Sequence, residues 1–317
     1  MNAVILAAGL GTRLRPLTES VPKPLMPVLN RPLLGLLLEQ LKAGGCRRVA
    51  VNTHHLAEAV AAFLEERRPP DLEVRVSREP ELLGTGGGLK QLAEVLECRE
   101  EPFLAVNGDI VTDLDLAGIY QGHRQESVST LVLHDCPPHN KVWTAGGKVV
   151  AIGAAPGVPT DPPLAYTGVQ VVSPKMLAYL PPAGREYDLV AAWREALAAG
   201  EQLSGVVVSG HFWQDLGSPE AYLELHRRLL GGASVKLARL FPGLADPFIG
   251  PEASIGPGVG FRGGVCLGPG VRIGEAASLK NTVAWAGATV APGVSLEDCI
   301  VAANVKVTQS ARGRMLV

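Results

Sequence analysis

No apolar run in the 317-residue chain comes near the roughly 18–20 residues that a membrane-spanning helix needs. Nor is there a surplus of one charge: 29 Lys and Arg face 31 Asp and Glu, a net charge of -2. That balance excludes a strongly basic nucleic-acid binder and a polybasic protein of the membrane surface. Aromatic residues are scarce, at 5%, which argues against a surface of rings built to stack on bases or sugars. The five cysteines (Cys46, Cys98, Cys136, Cys266, Cys299) form no CxxC pair and no Cys/His cluster. A zinc site therefore has no support, and reduced thiols of a cytoplasmic protein are expected. Met1 to Gly9 put no basic segment ahead of their apolar stretch, so no signal peptide is expected. With 47% hydrophobic and 19% charged residues, disorder is excluded as well.

What the chain has in excess is glycine and proline, 37 and 25 residues, about a fifth of the total. At roughly 100–200 residues per domain the length suggests two domains, and the pattern changes once along the chain. Residues 1–230 alternate strands with helices. Ala3–Ala8, Arg48–Thr53, Glu73–Arg78 and Phe103–Val106 read as strands; Pro32–Lys42, Leu56–Arg67 and Gly88–Leu96 read as helices. Repeated β-α order implies a largely parallel sheet covered on both faces, with ligands at the carboxyl ends of its strands. The loops at Gly9, at Asn107 and around Leu83 are those ends. Residues 231–246 read as a linker, with Gly231-Gly232 and Pro242-Gly243, and residues 247–317 as a second domain.

From Ile249 the period is six. Apolar residues recur at Ile249, Ile255, Phe261, Leu267, Ile273, Leu279 and Trp285. Four residues after each comes a small or branched one: Ala253, Val259, Val265, Val271, Ala277, Val283 and Thr289. The second series runs on through Ser295, Val301 and Val307, whereas the apolar leader is lost at Ala291, Glu297 and Ala303. Each hexad makes one side of a triangular coil, three complete a turn of a parallel β-helix, and the small residue points inward. The alternative is a loop-rich tail with chance glycines and prolines.

Directly after the first strand comes Leu6-Ala-Ala-Gly9-Leu-Gly11-Thr12-Arg13-Leu14-Arg15-Pro16-Leu17-Thr18, then Pro22-Lys23-Pro24-Leu25. Leu14 stands where the dinucleotide fingerprint has its third glycine, and no GxxxxGK[ST] P-loop occurs. What remains is a glycine loop whose N–H groups can approach phosphate oxygens, flanked by the cations Arg13 and Lys23. That combination suits a triphosphate undergoing substitution, where charge builds on the phosphate oxygens. Asn107-Gly108-Asp109 follows the strand Phe103–Val106. A carboxylate there, after a glycine that lets the backbone come close, is a natural Mg²⁺ ligand. Mg²⁺ takes one or two carboxylates plus substrate phosphates, so a second carboxylate is expected elsewhere. The segment Trp213-Gln214-Asp215-Leu216-Gly217 offers Asp215. Asp113 and Asp115 read as turn and helix-start residues.

The string GxGTRLxPLTxxxPKPL, matched in full from Gly9 to Leu25, resembles the signature of the nucleoside-diphosphate-sugar pyrophosphorylases, also called sugar-1-phosphate nucleotidyltransferases. The resemblance spans roughly residues 1–230, and the hexad tail is similar to one carried by part of that family. It implies an α/β fold: a Rossmann-like, mixed, mostly parallel sheet of the nucleotide-diphospho-sugar transferase type, followed by a C-terminal left-handed parallel β-helix. It also implies Mg²⁺-dependent transfer of a nucleoside monophosphate from an NTP to a sugar 1-phosphate, with release of pyrophosphate. Positioning and electrostatics carry such a displacement without a protein nucleophile. By the resemblance Arg13, Lys23 and Asp109 are catalytic, and Asp109 and Asp215 (from a W-x-D-x-G segment) hold the metal. Leu6, Ala8, Gly9, Gly11, Thr12, Arg13, Glu79, Gly84, Thr85 and Gly86 bind the nucleotide. Asn107, Thr167 and Gly168 bind the sugar.

In the family the segment from Glu79 to Leu89 lines the base. Glu79 or Glu81 could accept from guanine N1–H and N2–H, against the plainer reading of a solvated loop carboxylate; uracil and guanine both stay open. A Glu-Lys-Pro triplet that many members use for sugar-phosphate contact is absent between residues 140 and 165, where Lys141 is a candidate substitute. That departure points away from the mannose-1-phosphate guanylyltransferases and towards the branch similar to N-acetylmuramate-1-phosphate uridylyltransferase. The branch's triple glycine, Asn-Gly-Asp and histidine have counterparts in Gly86-Gly87-Gly88, Asn107-Gly108-Asp109 and His54. That enzyme usually lacks a hexapeptide tail. Asn52, His54 and His55 follow a strand and could sit near substrate, although a helix-entry or surface role is the plainer reading for the histidines. No histidine follows His226. Hexapeptide acyltransferases need one as general base, so acyl transfer is not expected, and self-association of the chain through the β-helix and regulation are. The other class left open is a non-catalytic regulatory or nucleotide-sugar-binding subunit of the same fold.

Overall fold

The computed structural model describes residues 1–155, 157, 160–232 and 235–317, the side chains of 235 and 236 excepted. Ala233 and Ser234, within the expected linker, lie outside the described residues. The chain forms two compact units, and neither is one continuous stretch. The first comprises Met1–Gly9, Leu37–Gly108 and Leu114–His211; the second comprises Leu10–Leu36, Asp109–Asp113 and Phe212–Val317.

Apolar runs buried on both sides build the first unit. Its nine-stranded sheet has the order Glu73–Arg78, Arg48–Thr53, Asn2–Leu6, Phe103–Asn107, Ala165–Val172, Ser127–His134, Gln202–Val207, Lys148–Ile152, Val142–Ala145. Only Ala165–Val172 and Lys148–Ile152 run against the rest, so the sheet is mixed and mostly parallel in direction. Val4, Ala50, Phe103 and Leu131, all at most 1% exposed, pack with Leu89 and Trp193 in one core. Burial of a valine, leucine or phenylalanine among them contributes roughly 1.5–3 kcal/mol by leaving water.

Two boundaries differ from the sequence reading by more than one residue. The first strand ends at Leu6 rather than Ala8, because the Ala7 N–H bonds to the Asn52 side chain instead of a neighbouring strand. The expected helix Gly88–Leu96 begins at Gly84. Four glycines are poor helix formers, but they let this first turn press against another backbone: a Cβ would come 2.7 Å from the Tyr187 carbonyl oxygen at Gly84 and 2.1 Å from that of Arg185 at Gly87.

In the second unit the helix Pro219–Leu230 starts with Pro at its first position and a Ser218 hydroxyl cap on the Ala221 N–H. It buries Tyr222 and His226, both at 0% exposure. The His226 ring is held neutral: Nδ1 donates to the Tyr222 carbonyl and Nε2 accepts from the Leu29 N–H. Burial pushes its pKa down to about 4. Tyr222 also links the Pro27 carbonyl, to which its hydroxyl donates, with the Trp285 indole, which donates to it at 3.0 Å.

Residues 248–316 of this unit form three parallel sheets, the sides of a left-handed β-helix. The hexad period holds from Ile249 to Leu279, where Ile249, Ile255 and Phe261 stack under Leu267, Ile273 and Leu279. It then slips by one. Leu267 pairs with Ala284, Ile273 with Val290 and Leu279 with Leu296. The apolar leader was expected at Trp285 and lost at Ala291 and Glu297; it is found one residue earlier and is not lost. Asn281, at φ 43°, closes its corner with one residue fewer, a left-handed backbone that Asn tolerates. The inward small positions shift likewise, from Thr289 and Ser295 to Ala288 and Val294. Val283 and Trp285 face outward instead and join Cys266 and Ile300 in a core with Leu14, Leu17 and Tyr222.

None of the five cysteines forms a disulfide. Burial pushes the Cys46 and Cys98 thiols up to about 11 and Cys266 up to about 12, so these sulfurs stay protonated and unreactive.

Candidate functional site

The candidate phosphate and metal residues gather in the second unit. Gly11 sits in the left-handed region at φ 62°, where a Cβ would come 2.9 Å from Thr18 Cγ2. The Thr18 hydroxyl donates to the Gly11 carbonyl at 2.9 Å. This pinned turn opens the short helix Thr12–Leu14, which buries Leu14 and leaves Thr12 and Arg13 exposed.

Lys23 opens a second short helix, Lys23–Leu25. Its Nζ lies 2.6 Å from Asp109 Oδ2, with the lysine side chain 12% and the aspartate 35% exposed. Asp109 directly precedes the strand Ile110–Thr112, which pairs antiparallel with Trp213–Asp215 so that Asp215 faces Ile110. The Leu216 N–H donates to the Asp109 carbonyl at 2.8 Å. Two carboxylates far apart in sequence thus stand one step apart on a single ladder. Gly217 makes room beside them: the position of a Cβ there is 2.6 Å from Asp215 Oδ2 and 3.2 Å from both Arg13 Nη atoms. Among the described residues no group of three or more His, Cys, Asp or Glu side chains could enclose a metal. Two carboxylates, one of them a third exposed, fit a cation that completes its shell with water and substrate phosphates, which is the habit of Mg²⁺.

The other candidates lie in the first unit. Leu6 ends its strand, and its carbonyl accepts from Gly108 N–H at 2.8 Å. A Cβ on Gly108 would meet that oxygen at 2.9 Å, so the glycine brings the two strand ends together. Ala8 is buried, whereas Gly9 is exposed and a Cβ on it would meet nothing within 4 Å.

Glu79 is not the solvated loop carboxylate of the plainer sequence reading. It is 2% exposed. Its Oε1 accepts from Asn52 Nδ2 at 2.7 Å and its Oε2 from the Leu83 N–H at 3.1 Å. The His54 Nδ1 donates to its carbonyl at 2.8 Å. Each oxygen already holds a protein donor and the carboxylate is closed off from solvent, whereas Glu81 is exposed. Gly86 is buried and its N–H is taken by the Tyr187 carbonyl at 2.9 Å. Gly84 and Thr85 are exposed, although the Thr85 hydroxyl accepts from Leu189 N–H at 3.3 Å.

On the sugar side, Gly168 at φ 85° lies against Asn107, whose Cβ and Nδ2 would each be 3.1 Å from an added Cβ. Thr167 turns inward: it is fully buried and its hydroxyl donates to the Val132 carbonyl at 3.0 Å. It builds the irregularity in its strand, where pairing with Ser127–His134 shifts between Tyr166 and Gln170, and so sets Gly168 without offering a hydroxyl to a ligand. Lys141 is exposed, and Asp113 and Asp115 accept from Phe212 N–H and Gly118 N–H, as turn and helix-start residues do. The role of Asn52 as the link between Ala7 and Glu79 was not evident in the sequence. The available signal was a lone amide at the end of the apolar strand Arg48–Thr53.

A family model described as Nucleotidyl transferase matches residues 2–231. The mannose-1-phosphate guanylyltransferase of Mycobacterium tuberculosis is 30% identical to the chain over 308 residues, covering 94% of this chain and 83% of that protein. The N-acetylmuramate alpha-1-phosphate uridylyltransferase of Neisseria meningitidis serogroup B is 39% identical over 144 residues, 44% of this chain and 62% of that protein. Among solved structures, HddC from Yersinia pseudotuberculosis complexed with GMP-PN superposes with a TM-score of 0.59 over 71% of this chain and 97% of its own. At 23% identity that is a likeness of fold.

Proposed function

The chain belongs to the nucleotidyl transferase family and is a sugar-1-phosphate nucleotidyltransferase that makes a nucleoside-diphosphate sugar; from that premise we propose which residues do what, and with which metal. Asp109 and Asp215 hold Mg²⁺, which when bound offsets the charge of the phosphates. Arg13 and Lys23 hold the triphosphate and meet the charge that develops on its oxygens. An oxygen of the sugar 1-phosphate attacks the α-phosphorus in line; a new P–O bond forms, the α–β bridge breaks, and pyrophosphate leaves. Lys23 balances Asp109 while the phosphates are absent, so neither charge is stranded. Leu6, Ala8, Gly9, Gly11 and Thr12 line the phosphate path, Gly84 and Thr85 the base, and Asn107 and Gly168 the sugar.

The base is uracil or guanine and the sugar of hexose-1-phosphate or N-acetylmuramate-1-phosphate type. Residues 1–230 form the catalytic region and 247–317 the β-helix. No helix of the described residues is long and apolar enough to cross a membrane, and the reading is of a cytoplasmic enzyme. Its self-association through the β-helix would use the sides that do not carry Cys266, Val283 and Ile300, since these are covered by the chain itself.

The observation that carries the reading is the 2.6 Å Lys23–Asp109 pair on the ladder that also brings in Asp215. The test is pyrophosphate release with Mg²⁺, with UTP, GTP, dTTP, ATP and CTP against a panel of sugar 1-phosphates. Release with one pair names both substrates, and Asp109→Ala or Asp215→Ala should abolish it. Undiminished turnover in both variants overturns the metal assignment. No release with any pair, from folded protein that binds a triphosphate, favours the non-catalytic subunit.

A further inference from the structure

At the carboxyl edge of the first unit's sheet, one side chain joins two loops. Asn52 is 3% exposed. Its Oδ1 accepts from the Ala7 N–H at 2.6 Å and its Nδ2 donates to Glu79 Oε1 at 2.7 Å. The second Glu79 oxygen takes the Leu83 N–H at 3.1 Å, just before the helix Gly84–Val95. There is no slack around the couple: a Cβ on Gly88 would stand 2.7 Å from Asn52 Nδ2 and 3.1 Å from Glu79 Oε1.

We infer that Asn52 is a positioning residue for triphosphate binding, fixing the Ala7–Gly9 backbone through one end of its amide and the Leu83 turn through the other. The inference rests on the reading that the Gly9 loop meets the triphosphate. An amide is the short side chain that presents an acceptor and a donor at once, and each loop requires one of the two. Donors held in place before a ligand arrives lose no freedom when it binds. Gly9 itself is held by no packing, since a Cβ there would meet nothing within 4 Å, so the hydrogen bond two residues earlier supplies order to its backbone.

Asn52→Asp keeps the acceptor for Ala7 but sets a second carboxylate against Glu79. Two buried carboxylates in contact share a proton, and the pair's higher apparent pKa rises. The KM for the triphosphate should therefore rise about tenfold or more at pH 8 and return towards the wild-type value at pH 6, with kcat at saturating triphosphate changed less than about threefold. The reversed couple, Asn52→Asp with Glu79→Gln, restores a donor and an acceptor in exchanged places and leaves the glutamine oxygen for Leu83. Its KM should lie within about threefold of wild type at every pH. His54, which meets the Glu79 carbonyl, is unchanged in all three proteins, so the variant-to-wild-type ratio is the quantity read. If Asn52→Asp alone fails to fold, the reversed couple decides. A wild-type KM in Asn52→Asp at all pH values, or a folded reversed couple as weak as the single variant, overturns the inference. Wild-type protein that releases no pyrophosphate with any substrate pair overturns the reading of the triphosphate site itself, and needs no variant to do so.

Discussion

Glu79 in the first unit and Asp109 in the second are both acids just beyond a strand end, and the fold treats them in opposite ways. Glu79 is 2% exposed with both oxygens held by donors of the protein. Asp109 is 35% exposed in its side chain and held on one oxygen by a lysine. The glycines divide in the same manner. Those at 84 and 86–88 are required by backbone or side chains within about 3 Å of where a Cβ would be, whereas Gly9 is required by nothing around it. Groups that the fold has consumed explain the shape of the protein; groups it has left unspent are those available for chemistry.

Four measurements sharpen or break that division. The largest effect should come from Gly87→Ala. With a Cβ 2.1 Å from the Arg185 carbonyl oxygen, the helix start must move, and the loss should reach or exceed the ~3 kcal/mol top of the usual overpacking range. Chemical denaturation reads it, and near-native stability would show the glycine to be dispensable. Next, Lys23→Ala should lower kcat by about 10²–10³ while leaving the melting temperature close to wild type; an unchanged rate refutes its catalytic part.

His226 is a consumed histidine, so its signature belongs in stability. Its folded-state pKa of about 4 lies below the ordinary 6.5. Between those values the unfolded chain takes up a proton that the folded one refuses. The contribution is therefore full above about pH 6.5 and is lost as pH falls towards about 4. From pH 7 to pH 5 wild type should lose about 2 kcal/mol more than His226→Gln, and equal losses would contradict the neutral assignment. The smallest effect belongs to Gly9→Ala: stability within about 0.5 kcal/mol of wild type, with a few-fold rise in triphosphate KM. A large loss of stability there would place Gly9 with the consumed glycines.

The sequence made the β-α order and the β-helix legible because both rest on local periodicity. Strands such as Arg48–Thr53 and Glu73–Arg78 have the same limits in the structure. What depends on distant partners was hidden. The helix at Gly84 starts four residues early only because residues 185–189 pass beside it. The hexad register slips at Asn281 because a corner closed short, and a strict count of six then misassigned Val283 to the interior and took Trp285 for the apolar leader. At the candidate site, the residue types of the glycine loop and of Asn-Gly-Asp stand out in the sequence. The antiparallel pairing that brings Asp215 opposite Ile110, the burial of Glu79 and the inward turn of Thr167 are properties of the folded chain.

The outward row of the β-helix, Cys266, Val283, Trp285 and Ile300, shares a core with Leu14 and Leu17, which follow directly on Arg13 and its short helix. The repeat region is thus a keel rather than a pennant. Cutting the chain near residue 246 in search of a minimal catalyst would uncover those leucines and unsettle Arg13, the cation proposed to hold the triphosphate. Anyone shortening this protein should replace the keel's apolar side with polar residues on both surfaces, or keep it.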